Sequence, residues 1–399
     1  MNRRSFLAAG AGLTVLTAAP SDTIRLGVIG CGGRGRFVMT AFQRIPAVQV
    51  SAVCDVYEPN LESARSAASK AQDEGKPPRI YRNYKELLSD KDIDAVLIAT
   101  PEHWHAHMVL DAIQAQKDIY VEKPLCHTPE EGIALVKAES AAKQIIQVGM
   151  QRRSYDLYMQ AREIVASGAV GTVRMVRSWW LNTYLNQPVV TKLDGKLDWE
   201  QWQGPAPHRE FSADRFRNWR YYSDYSGGIL ADQGAHVFDG IHMLMGVGAP
   251  FAVTAAAGKP HRPLFDMPES VTATAWYPED FLATFSINYA AMKYPPARDQ
   301  LNQLDGDKGR LDVGREDLRM FAAGAGAEPA KSYRTARGFA YATDLHVANF
   351  VQCVRTRQRP TAPMALGFQS ALVVQMANLS IKHGRRVTWN AAAQKVEMS

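Results

Sequence analysis

A glycine triplet constrains this 399-residue chain more than any other feature. The segment "GVIGCGGRGRF" sets Gly30-x-Gly32-x-x-Gly35 directly after an apolar strand pattern and at the opening of an amphipathic stretch. The first glycine permits a tight turn, the second lets the backbone approach a pyrophosphate, and the third allows close helix–strand packing. The helix N-terminus then faces the phosphate charge. Asp55 stands 20 residues past Gly35, at the end of the next strand pattern, where an acid accepts ribose hydroxyls. A glycine triplet alone is a weak signal. Strand, helix and acid together predict a dinucleotide site built on Gly30, Gly32, Gly33, Arg34, Gly35 and Asp55. Asp55 favours NAD over NADP because it repels a 2′-phosphate, whereas Arg34 and Arg36 are the residues that could meet one.

Residues 24–148 alternate short apolar runs with amphipathic ones. Runs at 24–29, 48–54, 95–99, 119–121 and 145–148 read as strands, and 34–44, 59–74, 106–116 and 129–143 read as helices. Such alternation implies parallel pairing and a doubly wound α/β (Rossmann) domain over residues 23–149. Beyond Gly149, residues 172–181, 252–257, 271–277 and 282–289 alternate as antiparallel strands do. Helices are predicted up to Gly168, over 344–356 and over 367–383. The Trp/Tyr/Pro-rich stretch 199–225 reads as a long functional loop. Residues 150–399 therefore form a second domain of α+β type.

Hydrophobic and charged contents of 46% and 22% are ordinary for a soluble protein. The formal charge of +6 falls to +4 once Arg3 and Arg4 are set aside, and no basic run is interleaved with aromatics, so no nucleic-acid partner is expected. The four cysteines form no C-x-x-C pair and read as small buried hydrophobes. The opening "MNRRSFLAAGAGLTVLTAAP" joins a basic start to an apolar run too short to span a bilayer, which suits a signal peptide over residues 1–20. Its Arg3-Arg4 pair resembles a twin-arginine export signal, so a periplasmic or otherwise exported location is expected, with no stable membrane span. The competing reading is an ordinary N-terminal helix.

Chemistry concentrates in two stretches. In "DIYVEKPLCHTPEEG", Lys123 follows a strand of the nucleotide domain, at the carboxyl edge where such sheets bind ligands. Pro124 disfavours a helical conformation at Lys123, so the ammonium projects from extended backbone. In "SGGILADQGAHVFDGIHML", a helix entered through Gly227-Gly228 carries Asp232, His236 and Asp239. Asp232 and His236 are four apart and share a face, and a histidine is a natural proton carrier near neutrality. A surface lysine and a structural helical histidine are the bland alternatives.

The glycine triplet, the segment "ATPEHWHAHM", Glu122-Lys123-Pro124 and Asp232-x-x-x-His236 together resemble the Gfo/Idh/MocA family, the glucose–fructose oxidoreductase and inositol dehydrogenase relatives. The resemblance runs over nearly the whole chain from Ile24. It implies a Rossmann domain followed by a domain with a large open, mostly antiparallel sheet that often mediates homo-oligomer formation. It makes Lys123, Asp232 and His236 the catalytic set, with His236 as acid/base. Thr100, Pro101, Trp104, His105, Glu122, Lys123 and Gln151 would line the dinucleotide. Arg153, Trp180, Tyr184, Arg220 and Tyr225 are candidates for the substrate side. The implied reaction is nicotinamide-dependent oxidation or reduction of a sugar, cyclic polyol or derivative.

Rival readings are an NAD-dependent glycosidase working by oxidation, elimination and re-reduction, a metal-dependent hydrolase or isomerase, and a non-catalytic sugar sensor. Lys123 favours the oxidoreductase over the glycosidase, because the glycosidase branch of this resemblance carries a nonpolar residue there. For a metal site, His103, His105 and His107 alternate at a predicted helix start, where such residues diverge, and no metal is expected. Export adds one more expectation. Free NAD is scarce outside the cytoplasm, so the cofactor would be bound tightly and recycled on the enzyme.

Overall fold

The computed structural model describes residues 23–71, 77–182, 188–295, 299–324 and 326–399. The leader expected over residues 1–20 and the substrate candidate Tyr184 lie outside the described residues.

Six strands form a wholly parallel sheet: β1 (Ile24–Ile29), β2 (Val48–Cys54), β3 (Arg79–Tyr81), β4 (Ala95–Ile98), β5 (Asp118–Val121) and β6 (Ile146–Val148). Their order is β3-β2-β1-β4-β5-β6. The helices between them are α1 (Gly33–Gln43), α2 (Glu58–Ala71), α3 (Tyr84–Ser89), α4 (Glu102–Gln114) and α5 (Pro129–Ala141). Strand order reverses between β1 and β4, which opens a crevice outside their carboxyl ends. β4 and β5 are buried along their whole length, as a sheet covered on both faces requires. Helix α4 begins at Glu102, ahead of the apolar periodicity, because the polar stretch Glu102–His105 forms its first turn. Glu102, His103 and His105 are buried there. Helix α5 starts on a capping box in which Thr128 and Glu131 exchange side-chain and backbone bonds, with Pro129 at its first position. That start sits shortly after the Lys123–Pro124 bond, which is cis.

The second half comprises α6 (Asp156–Ala166), β7 (Val173–Leu181), α7 (Trp199–Gln203), α8 (Ala213–Arg217), α9 (Gly228–Met245), β8 (Ala252–Ala257), β9 (Ser270–Tyr277), β10 (Phe281–Asn288), β11 (Gln300–Gly306), β12 (Gly309–Val313), β13 (Asp317–Ala322), β14 (Lys331–Arg334), α10 (Tyr341–Thr356), α11 (Met364–His383), β15 (Val387–Asn390) and β16 (Lys395–Met398). Its sheet is open and ten-stranded, in the order β14-β13-β12-β11-β7-β10-β9-β8-β15-β16, antiparallel except for β7 beside β10. Helix α9 is buried around most of its girth and packs on α11, α6 and the sheet. Helix α11 is apolar and long enough to cross a membrane, but it is two-thirds buried against α9, β8 and α5 as a core helix.

The second half of the chain also completes the core of the first sheet. Helix α10 returns to the first sheet, where Val347, Phe350, Val351 and Val354 join Leu26, Val28, Val50, Phe42 and Tyr120 in one core. Phe42, Tyr120 and Phe350 meet edge-on, with centroids 5.5 to 5.9 Å apart. Each such contact adds about 0.5–1.5 kcal/mol beyond the area it buries. All four cysteines are buried, and none is disulfide-bonded.

Candidate active site

The glycine turn is shaped by what touches it. Gly30 has φ +87°, and a Cβ there would stand 2.7 Å from the Ala99 carbonyl oxygen on β4's far end. A Cβ on Gly35 would lie 1.9 Å from the Gly30 oxygen. Nothing crowds Gly33, and Gly32 has only Asn60 Nδ2 at 4.0 Å. The first and third glycines therefore close the turn, while the middle pair keeps bare backbone toward the crevice. Helix α1 has no side-chain cap on its first amides. An exposed, uncapped helix start of this kind suits the pyrophosphate of a dinucleotide.

Asp55 accepts the backbone N–H groups of Cys31 at 2.7 Å and Tyr57 at 2.8 Å, tying the glycine turn to the end of β2. Burial pushes its carboxyl up, although those two donors pull the other way. Oδ1 accepts only Tyr57 N–H and retains a lone pair for a ribose hydroxyl, while Oδ2 also takes a long bond from Asn60 Nδ2 at 3.4 Å. The two arginines that could meet a 2′-phosphate are committed elsewhere. Arg34 pairs with Glu122 at 2.8 Å, and Arg36 donates to the Cys31 carbonyl at 2.6 Å.

The crevice is a cleft of about 480 Å³, and its far wall comes from the second half of the chain. Gln201, Trp202, Phe216, Arg217, Trp219 and Arg220 face the glycine turn, Thr100, Pro101 and Trp104 across it. A strap over residues 188–225 carries them. Its backbone is pinned to the end of β2 by Glu58 N–H to the Lys196 carbonyl and Asp198 N–H to the Val56 carbonyl. Trp104 Nε1 and His103 Nε2 both donate to the Trp202 carbonyl, at 2.8 and 3.1 Å. Trp199 and Trp202 stack at 4.9 Å beneath. The stretch read as a loop thus holds the short helices α7 and α8 and one wall of the nucleotide cleft.

A second cavity, of about 280 Å³, adjoins the first and shares Arg34, Ala99, Thr100, Trp219 and Arg220 with it. Lys123 Nζ reaches across it to Asp232, donating to Oδ1 at 2.6 Å and to the main-chain carbonyl at 2.7 Å. Burial would raise the Asp232 carboxyl, but Lys123 and then Arg220 outweigh it and hold the group at about 2. His236 lies one turn further along α9. Burial, reinforced by Lys123, Arg152 and Arg34, keeps its imidazole well below the ordinary histidine range. The site therefore joins a fixed Lys⁺/Asp⁻ pair to a neutral histidine that can accept a proton.

Two supports hold this arrangement. His105 bridges the carbonyls of Pro124, at 2.6 Å, and Thr100, at 2.9 Å, bracing the lysine segment. Glu102 caps α9 from the other domain. Its carboxylate accepts Ser226 Oγ at 2.7 Å and Gly227 N–H at 2.8 Å, where no side chain of α9's own does so.

Residues 24–150 match the oxidoreductase family with an NAD-binding Rossmann fold, and residues 158–312 match the GFO/IDH/MocA C-terminal domain. The chain belongs to the Gfo/Idh/MocA family. It is 36% identical over 157 residues to inositol 2-dehydrogenase/D-chiro-inositol 3-dehydrogenase of Shouchella clausii, covering 39% of this chain and 44% of that protein. Inositol 2-dehydrogenase of Rubrobacter xylanophilus is 31% identical over 173 residues, covering 43% and 47%. The chain thus spans under half the length of these curated relatives. Among solved structures, levoglucosan dehydrogenase in complex with NADH and levoglucosan superposes with a TM-score of 0.73 at 20% identity, over 94% of this chain and 99% of that one. The last likeness is one of fold.

Within this Gfo/Idh/MocA chain, Lys123, Asp232 and His236 line one cavity together with His105, Glu122, Gln151, Trp180 and Arg220. Gly30, Gly32, Gly33, Asp55, Thr100, Pro101 and Trp104 line the cleft beside it, with Gly35 packed behind the turn. Arg153 is placed elsewhere, its Nε donating to the buried Asp239 at 2.6 Å. Tyr225 is fully buried in the aromatic cluster under the strap, 4.6 Å from Trp202. Among the described residues no group of three or more His, Cys, Asp or Glu side chains is gathered for a metal ion. Trp219, Gln233, Phe339 and Glu102 also line the cavity that holds Lys123, Asp232 and His236 and were not singled out from the sequence. Only the Trp-rich character of 199–225 pointed toward one of them.

Proposed function

We propose that this Gfo/Idh/MocA chain is an NAD-dependent oxidoreductase acting at a hydroxyl-bearing carbon of a sugar, cyclic polyol or derivative. The observation that carries the reading is the Lys123–Asp232 pair with His236, set in a cavity that opens onto the dinucleotide cleft. NAD supplies the hydride acceptor and donor. Lys123 and Asp232 hold and polarise the reacting oxygen, and neutral His236 takes its proton in the oxidative direction and returns it in the reductive one. Three aromatic walls, Trp180, Trp219 and Phe339, suit the C–H faces of a ring. The inositol dehydrogenase relatives support a polyol or sugar substrate.

A cleft walled by both halves of the chain, with the strap bonded to the Rossmann side at Trp104–Trp202, supports a retained cofactor. The Arg3-Arg4 leader supports export of the folded, loaded protein, with NAD recycled on the enzyme. The test is to denature the purified protein, identify any released nucleotide, and follow NADH and keto-product formation over a panel of sugars and polyols. Protein that carries no nucleotide and turns over only with added NAD overturns cofactor retention. Protein that forms neither NADH nor a keto product overturns the oxidoreductase reading. Export is tested by fractionating cells that express the full chain and its Arg3→Lys/Arg4→Lys variant. Cytoplasmic retention of both overturns export.

A further inference from the structure

The three cations lining the catalytic cavity, Arg34, Lys123 and Arg220, are not equally engaged by its three carboxylates, Glu102, Glu122 and Asp232. Lys123 is answered by Asp232 Oδ1 at 2.6 Å, and Arg34 by Glu122 at 2.8 Å. Glu102 is occupied by Ser226 and Gly227. Arg220 shares Asp232 with Lys123 and is the least engaged of the three. Its Nε stands 3.5 Å from Asp232 Oδ2, beyond ordinary hydrogen-bonding range, and that oxygen already accepts Gln233 Nε2 at 3.0 Å. No hydrogen bond engages its two Nη groups among the described residues. The guanidinium lies over the Trp219 ring at 4.2 Å with its side chain 42% exposed, so it is held by stacking and still open on one side. A planar fork preset on an aromatic ring matches a carboxylate.

Resting on the oxidoreductase reading, we propose that the substrate is an acidic sugar or polyol whose carboxylate is bound by Arg220 while its hydroxyl meets Lys123, Asp232 and His236. The distance between Arg220 and Asp232 places carboxylate and reacting hydroxyl on the same small molecule. The other anion within reach of Arg220 is the dinucleotide pyrophosphate, since this residue also lines the larger cleft. The substrate is favoured because the nearest charged partner of Arg220 is Asp232, the residue that holds the reacting oxygen.

The test uses the full-length protein with its own nucleotide and matched pairs, D-glucuronate with D-glucose and D-galacturonate with D-galactose. The acid of a pair is expected to be favoured in kcat/KM by about 10- to 100-fold, the yield of one charge-assisted contact. Arg220→Gln should erase that preference mainly through KM for the acid, and Arg220→Lys should restore part of it. Equal use of acid and neutral sugar, or an unchanged preference in Arg220→Gln, overturns the proposal. So does loss of bound nucleotide from Arg220→Gln, which would assign the arginine to the pyrophosphate. Binding is read separately by tryptophan fluorescence. Arg220-dependent quenching by the uronates without hydride transfer would support the anion site and overturn the oxidoreductase reading. Neither turnover nor quenching overturns both.

Discussion

Lys123 Nζ holds Asp232 twice, by its carboxylate and by its main-chain carbonyl, at 2.6 and 2.7 Å. The two residues come from different domains, so one ammonium both takes part in the site and fastens helix α9 to the Rossmann edge. An ammonium anchored at two points loses little further freedom when a hydroxyl arrives beside it.

Lys123→Ala is therefore expected to lower hydride transfer by about 10²–10⁴-fold while bound nucleotide persists. Single-turnover reduction of the retained NAD measures the first effect, and analysis of denatured protein the second. A near-normal rate would remove Lys123 from the reaction.

His236 is held neutral by burial and then by the surrounding cations Lys123, Arg152 and Arg34. The rate of oxidation should hence pass through pH 6.5 without the inflection of an ordinary histidine. His236→Asn should cost about 10²–10⁴-fold at neutral pH. An inflection near 6.5 in the native enzyme that vanishes in the asparagine variant would show a histidine of normal basicity and sink the assignment.

Buried histidines also set the pH range of the fold. Burial lowers His103 and His346 to about 4 and His242 to about 3. Depressed values mean that the unfolded chain binds more protons below about pH 6.5, so stability is full above that pH and falls as pH drops toward 4. Burial raises Asp55 and Asp239 and opposes the trend. Urea midpoints should decline between pH 7 and 4.5, and His346→Asn should make the decline shallower. An identical slope in that variant would contradict the account.

Glu102 is predicted to act as a positioning residue. Removing its carboxylate leaves Gly227 N–H and Ser226 Oγ without their acceptor, at a cost of about 1–3 kcal/mol. Glu102→Ala should show a lower Tm and a reduced kcat with the pH profile intact, and Glu102→Gln should recover most of both. A Tm loss with kcat preserved would confine Glu102 to stability.

Much of this architecture was legible because its signals are local. The glycine turn and Asp55 follow from backbone needs that only those residues meet. The Lys123 and Asp232/His236 motifs lie on elements whose periodicity is strong. Strands β11 to β14 were not legible. They bury Leu304 and Leu311 but alternate these with Gln303, Asp305, Arg310 and Asp312, and the four residues of β14 are almost wholly polar. Glu102 and His103 were hidden for the opposite reason, being polar residues buried by contacts with residues 124 and 99 positions away. Arg153 illustrates the limit of residue type as a guide. It has the right chemistry for a substrate, but Asp239 holds it instead. Only the aromatic stretch 199–225 around Arg220 set the two arginines apart along the chain.

The return of α10 to the first sheet separates the order of synthesis from the order of folding. The Rossmann strands leave the ribosome first, yet the part of one sheet face beside α1 stays uncovered until Phe350 and its neighbours appear. The roughly 190 residues between β6 and α10 take about 10–40 s to make at about 5–20 residues per second. During that interval the nascent nucleotide domain shows an apolar flank to whatever surrounds the ribosome. The earliest part of the molecule to be translated is among the last to be finished.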